Sequence, residues 1–203
     1  VLLEAVRRHP VERFIHISSL DVYGTAQALP MTEEHPLLPQ SPSAAAKAGA
    51  DRLAYSFYAM YGIPVTILRP FDNYGPYQSP GETIPLFITN AIEDKPLPVQ
   101  GEGSFTRDWL HVEDFCSAVD STIHADIDKI HGEVMNIGTG AGRSAGSIAC
   151  SILEKLGKSE SLIKFVENPT ESVRRSVSST SKAEILLNWK ASVDFNEGLG
   201  KTV

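Results

Sequence analysis

Apolar and polar positions along the chain follow two alternating periods. Val1-Leu2-Leu3-Glu4-Ala5-Val6 reads as a helix already under way, and Arg13 to Ser18 is a short apolar run bounded by polar residues, as expected of a strand buried on both faces. From about Ala44 to Tyr61 apolar residues recur at helical spacing, and Gly62-Ile63-Pro64 ends that helix. Val65 to Arg69 is the next β-rich run, while residues 24 to 42 read as a loop rich in proline and acidic side chains. Strand alternating with helix predicts an α/β fold with a parallel sheet. Beyond Pro70 the pattern loosens into a Gly/Pro-rich loop. It then predicts helices near 84–93, 113–125, 144–157 and 180–187, and strands near 97–100, 105–111, 133–137 and 162–166.

The 203 residues, 42% hydrophobic and 21% charged, suffice for a substantial core in one or two modest domains. A net charge of −7 argues against general nucleic-acid binding, so an anionic ligand must be met by a few placed arginines. Cys116 and Cys150 lack CxxC spacing and the six histidines do not cluster, so no disulfide framework or metal site is expected. A reducing cytoplasm is the expected location. No apolar run approaches the ~20 residues of a membrane span, and no signal-peptide pattern opens the chain.

Several segments carry candidate chemistry. Ser41-Pro42-Ser43-Ala44-Ala45-Ala46-Lys47 begins the long helix, with residues 43 and 47 one turn apart on one face. Ser18-Ser19-Leu20-Asp21-Val22-Tyr23-Gly24 leaves the first strand at its carboxyl end, where open α/β sheets bind ligands. Arg69-Pro70-Phe71-Asp72-Asn73-Tyr74-Gly75-Pro76-Tyr77 follows the second strand. Gly101 to Asp114 reads GxGxxxRDxxxVxD, and Glu133 to Gly140 is a strand closing on a glycine turn.

Together these segments resemble the extended short-chain dehydrogenase/reductases, specifically the NAD-dependent epimerase/dehydratase family acting on nucleotide sugars. The resemblance covers essentially the whole chain. It implies a partial Rossmann-type parallel sheet plus a small α/β substrate-binding part, with residues 1–76 forming the second half of the NAD-binding domain. Residues 77–203 would mostly bind the nucleotide sugar, some segments returning to the first sheet. The chain has no Met before Met31 and no GxGxxG or GxxGxxG turn, so it reads as a fragment that the resemblance would precede with on the order of a hundred residues.

The implied reaction is oxidation at sugar C4 by NAD with hydride return to the opposite face, on a UDP- or dTDP-hexose, in a homodimer built partly on the long helix. In that scheme Ser19 orients the sugar hydroxyl, Lys47 binds the nicotinamide ribose, and Ser18, Pro70 and Asn73 flank the cofactor. Asp72, Asn73, Arg107 and Arg175 would meet the diphosphate. Dehydrating members carry an Asp-Glu pair after the serine; here Leu20-Asp21 stands there, with Asp21 the remaining carboxylate, so 4-epimerisation is the closer match and 4,6-dehydration the alternative.

Three departures count against turnover by this chain. Ser43 replaces the catalytic tyrosine, Asp72 replaces an asparagine facing the diphosphate, and Glu82 stands where a lysine is common. An aliphatic hydroxyl is a far weaker acid than a phenol of pKa ~10. A binder without turnover, or a decayed fragment, is therefore the reading from another class. Taken singly, Ser43 is a helix N-cap, Ser19 a turn residue, Asp72 and Asn73 turn formers, Arg107 a surface ion pair and Arg174-Arg175 a solvated pair.

Overall fold

The computed structural model describes residues 1–167 and 175–203. Its first elements are α1 (Leu2–Arg8), β1 (Phe14–Ile17), a 3-10 turn at Leu20–Tyr23, α2 (Pro42–Tyr61), β2 (Val65–Pro70) and β3 (Asp72–Tyr74). There follow α3 (Thr83–Ile92), β4 (Leu97–Gln100), β5 (Thr106–His111), α4 (Val112–His124), α5 (Ile127–Ile130) and β6 (Val134–Ile137). The last are β7 (Gly142–Ser144), α6 (Ala145–Leu156), β8 (Ile163–Val166), α7 (Ser181–Leu187) and α8 (Phe195–Thr202).

The first sheet has the order β1-β2-β6 and is wholly parallel, as the alternating pattern predicted and in keeping with the Rossmann-type sheet that the resemblance implied. Period-2 alternation supplies both of its faces. Val65, Ile67 and Phe14 point to α1 and α2, where Val6, Ala54 and Phe57 cover them. Leu68, Met135 and Ile137 point the other way, against Ala118 of α4 and Ala183 and Leu187 of α7. Thus the chain returns to the first sheet after residue 77 through α4, β6 and α7. A separate core forms where α3, α6 and α8 close over β4, with Phe87, Ile148, Ile152 and Leu199 buried.

The long helix is well specified at both ends. Ser41, not Ser43, is its N-cap: the Ser41 hydroxyl accepts from the Ala44 N–H at 3.1 Å, and Pro42 takes the first helical position, where its missing N–H costs nothing. The pattern misplaced the cap because it read past that proline, and Ser43 is an exposed residue of the first turn. Gly62 closes the helix in the left-handed conformation, φ +67°.

Four short elements, β3, α5, β7 and α8, lie outside the expected pattern. Strand β3 follows β2 after Phe71 alone and pairs in parallel with β5, while β7 runs antiparallel to β5, giving a second sheet β3-β5-β7. Strands β4 and β8 pair in parallel as a third. The expected loop 24–42 is partly ordered by burial: Met31 is fully buried and bridges Ser178. Among the described residues no helix is long and apolar enough to cross a membrane.

Candidate active site

Two buried networks brace the carboxyl edge of the first sheet. Arg69, at the end of β2, is 2% exposed and pairs bidentately with Asp51 of α2, Nε to Oδ2 at 2.9 Å and Nη2 to Oδ1 at 3.0 Å. Its Nη1 donates to the Tyr23 hydroxyl at 2.9 Å, which donates in turn to Asn136 Oδ1 at 2.6 Å. Burial opposes the charge on Asp51, but the hydrogen bonds from Arg69 outweigh it and hold the carboxyl at about 2. Burial lifts the Tyr23 phenol to about 12.

The second network centres on Asp108 of β5, which has no exposed surface. Its two oxygens accept from the N–H groups of Thr139, Gly140 and Ser178 at 2.8, 3.0 and 3.1 Å, and from the Thr139 and Ser178 hydroxyls. Gly138 lets this knot close, since a Cβ there would lie 2.3 Å from Ser178 Oγ. The glycine turn after β6 is therefore architectural.

Between these braces opens a polar cavity of about 440 Å³. It gathers six of the residues expected at the site: Ser19, Asp21, Pro70, Asp72, Asn73 and Arg107. Ser19 caps the 3-10 turn, its hydroxyl accepting from the Asp21 N–H and donating to Asp21 Oδ2, both at 3.1 Å. Leu20 is 3% exposed and packs with Val22, Tyr23 and Met31, so one apolar and one acidic residue follow Ser19 here.

Arg107 Nε donates to Asp72 Oδ2 at 2.8 Å, with both side chains partly buried. Burial pushes the Asp72 carboxyl above its usual range although the Arg107 guanidinium pulls it down. Burial works against the Arg107 charge as well, but Asp72 overrides it and raises the guanidinium further.

The remaining expected residues lie around this cavity rather than in its wall. Lys47 is exposed one turn beyond Ser43 on α2, and its Nζ reaches the Ile17 carbonyl at the end of β1 at 3.4 Å. Ser18 is buried at the same strand end. Arg175 is exposed and bridges Thr106, the neighbour of Arg107. Arg174 lies outside the described residues.

A second cavity, of about 250 Å³ and mostly apolar, was not foreseen. Leu86, Phe87, Pro98, Gln100, Phe105 and Val166 are among its lining. It shares Thr83, Arg107 and Trp109 with the polar cavity, so the two adjoin at the guanidinium. The signal for Trp109 was present in the sequence: it stands two residues beyond Arg107 on β5, hence on the same face. Among the described residues its buried Nε1 has no partner, and neither do Asn73 Oδ1 and Gln78 Oε1. These are polar atoms at the cavity wall with unused hydrogen-bonding capacity.

Comparison with known proteins finds relatives in sequence and in fold. A dTDP-glucose 4,6-dehydratase of Actinoplanes sp. is 39% identical over 203 residues, covering 100% of this chain and 62% of that protein. The crystal structure of a dTDP-glucose 4,6-dehydratase from Bacillus anthracis in complex with NAD superposes with a TM-score of 0.91 at 39% identity, covering 99% of this chain and 63% of that one. A UDP-glucuronic acid 4-epimerase from Bacillus cereus, in complex with UDP-glucuronic acid and NAD, gives a TM-score of 0.93 at 31% identity over 99% and 63% of the two chains. The chain thus spans under two thirds of the length of these relatives. The profile of the GDP-mannose 4,6 dehydratase family matches residues 1–202, and the chain belongs to that family.

Proposed function

We propose that this chain is the nucleotide-sugar side of an NAD-dependent enzyme that oxidises C4 of a UDP- or dTDP-hexose, with 4-epimerisation favoured over 4,6-dehydration. The observation that carries this reading is the adjoining of an apolar and a polar cavity at Arg107. A nucleobase suits the aromatic and aliphatic wall, a diphosphate suits the guanidinium, and a hexose suits the polar cavity beside Ser19. Epimerisation is favoured because Leu20 is a core residue, leaving Asp21 as the carboxylate next to Ser19; water elimination calls for an acid and a base.

The residues present fit the nicotinamide end of NAD. Pro70 and Phe71 form the floor where the parallel strands end, and the Lys47 ammonium lies at the neighbouring end of β1. When bound, NAD supplies the hydride acceptor. Ser19 would orient the sugar hydroxyl, Lys47 would hold the ribose and position the proton acceptor, and Arg107 would fix the diphosphate, with Arg175 able to join it from the strand edge. Self-association through the exposed Leu53, Met60 and Tyr61 of α2, in a reducing cytoplasm that leaves Cys116 and Cys150 free, completes the proposal.

Binding without turnover is the second reading, and a specific observation favours it. Ser43 offers only an exposed aliphatic hydroxyl, and the Tyr23 phenol, at about 12, is committed to Arg69 and Asn136. Calorimetric titration with UDP-glucose, dTDP-glucose and NAD tests both readings. Sugar-nucleotide binding that Arg107→Ala weakens by about 10- to 100-fold supports the assignment. Binding unaffected by that change refutes it. With binding established, formation of a C4 epimer, of a 4-keto-6-deoxy product, or of neither separates epimerase, dehydratase and binder.

A further inference from the structure

We propose that Asp72 acts as a built-in anion on Arg107, so that a phosphate-bearing ligand enters only by displacing it, and that Asp72 thereby sets how tightly the site holds a diphosphate. The inference rests on the nucleotide-sugar reading above. The contact is fixed by the fold: parallel pairing of β3 with β5 sets Asp72 opposite Trp109, two residues from Arg107. It places the carboxylate on the Nε edge of the guanidinium at 2.8 Å, where it uses part of the fork that would otherwise grip a phosphate.

Charge at the cavity makes this contact decisive. Arg107 is the one cation in the described polar wall, against the carboxylates of Asp21, Asp72 and Glu82. A diphosphate brought to Arg107 meets Asp72 as a like charge at contact distance, the arrangement that penalises binding most strongly in a partly buried site. Independently, the Trp109 Nε1–H at the same wall is a buried donor with no partner among the described residues, able to serve a phosphate oxygen once the carboxylate has moved. The pair therefore holds Arg107 in place before the ligand arrives and weakens the ligand's grip afterwards.

Displacement can proceed by rotation or by protonation of Asp72. The charged groups facing Asp72 are Arg107 and Asp108 from β5 and Asp21 from the 3-10 turn, with Glu82 ahead of α3 near Arg107. Arg107 alone favours the ionised carboxylate. Burial and the two aspartates oppose it. An arriving diphosphate adds to the opposition, so binding draws a proton onto Asp72 and tightens as pH falls.

The test is calorimetry of the chain with UDP-glucose and dTDP-glucose, and with uridine and thymidine as controls lacking phosphate. Wild type is compared with Asp72→Asn and Asp72→Ser, each checked for folding by circular dichroism. Both variants are expected to bind the sugar nucleotides about 10- to 100-fold more tightly, with the nucleosides unchanged. Titration in buffers of different ionisation heat shows whether wild type takes up a proton; the diphosphate diester keeps constant charge between about pH 5.5 and 8. Variants that bind sugar nucleotides no tighter than wild type overturn the proposal while leaving the nucleotide-sugar reading standing. Failure of all three proteins to bind any sugar nucleotide overturns both.

Discussion

Replacing Asp51 by asparagine removes the charge from the best-buried ion pair among the described residues, and with it the weaker pairing of Asp51 with the half-exposed Arg52. Asp51 has no exposed surface and Arg69 is 2% exposed, so the guanidinium left behind can neither reach water nor lose its proton. Breaking such a pair from one side costs about 3–5 kcal/mol, because the remaining charge stays buried and uncompensated. Against a typical domain stability of about 5–15 kcal/mol this is a large fraction. With a urea m-value of ~2 kcal/mol/M, the unfolding midpoint should fall by roughly 2 M. The assay is urea denaturation followed by circular dichroism at several pH values.

The sign of the pH dependence follows from Asp51 being held at about 2 in the folded chain, against ~3.9 unfolded. A depressed carboxyl contributes stability above its unfolded pKa and loses it as pH falls through the folded one. The gap between wild type and Asp51→Asn should be full at neutral pH and narrow by about 2–3 kcal/mol as pH falls through the range from about 4 to 2. Replacing both partners together, Asp51→Leu with Arg69→Met, should recover most of the loss, since no charge is then stranded. A midpoint shift below about 0.5 M at neutral pH would refute the picture of a dry, mutually dependent pair.

Other perturbations address different parts of the fold. Asp108→Ala strands three backbone N–H groups and two hydroxyls, and should cost about 3 kcal/mol or more in the same denaturation assay. Gly138→Ala would drive a Cβ to 2.3 Å from Ser178 Oγ and 2.8 Å from Asp108 Oδ2, with an expected loss of about 1–3 kcal/mol; thermal melting measures it, and an unchanged Tm would show that the knot yields. Ser43→Tyr should create C4 turnover, or raise it by more than tenfold, in a full-length enzyme context if the missing phenol is what limits the chemistry, read by product analysis on UDP-glucose. No change in rate would place the defect elsewhere.

The sequence pattern reveals the first sheet well because burial on both faces writes itself into composition: β2 is buried at every position, and the run Val65 to Arg69 shows it. The long helix is equally plain, apart from a cap displaced by two residues. Strands β3 and β7 are hidden because three residues carry no period, and both owe their form to pairing with β5. The site follows the same division. Residues delivered by single segments, such as Ser19 and Arg107, could be named from motifs, whereas the apolar cavity is assembled from α3, β4, β5, the start of α6 and β8, and no one stretch encodes it. The Asp72–Arg107 contact joins two residues that were each assigned to a ligand's diphosphate. Their attraction for one another depends on a register that only the folded sheet supplies.

The passage from β2 to β3 through Phe71 alone has a mechanical consequence. Phe71 is 2% exposed and its N–H donates to the Ile137 carbonyl at 2.8 Å, so the chain crosses from one sheet to the next without a joint. Pro70, Phe71, Asp72 and Asn73 therefore form a stiff floor, anchored in two sheets at once. Adaptation to a bulkier or smaller guest falls to the opposite wall, where exposed residues 79–82 lead into Thr83. Hydrogen exchange should show it as slow amides along β2 and β3 and fast ones through residues 77–82, a fixed anvil facing a compliant jaw.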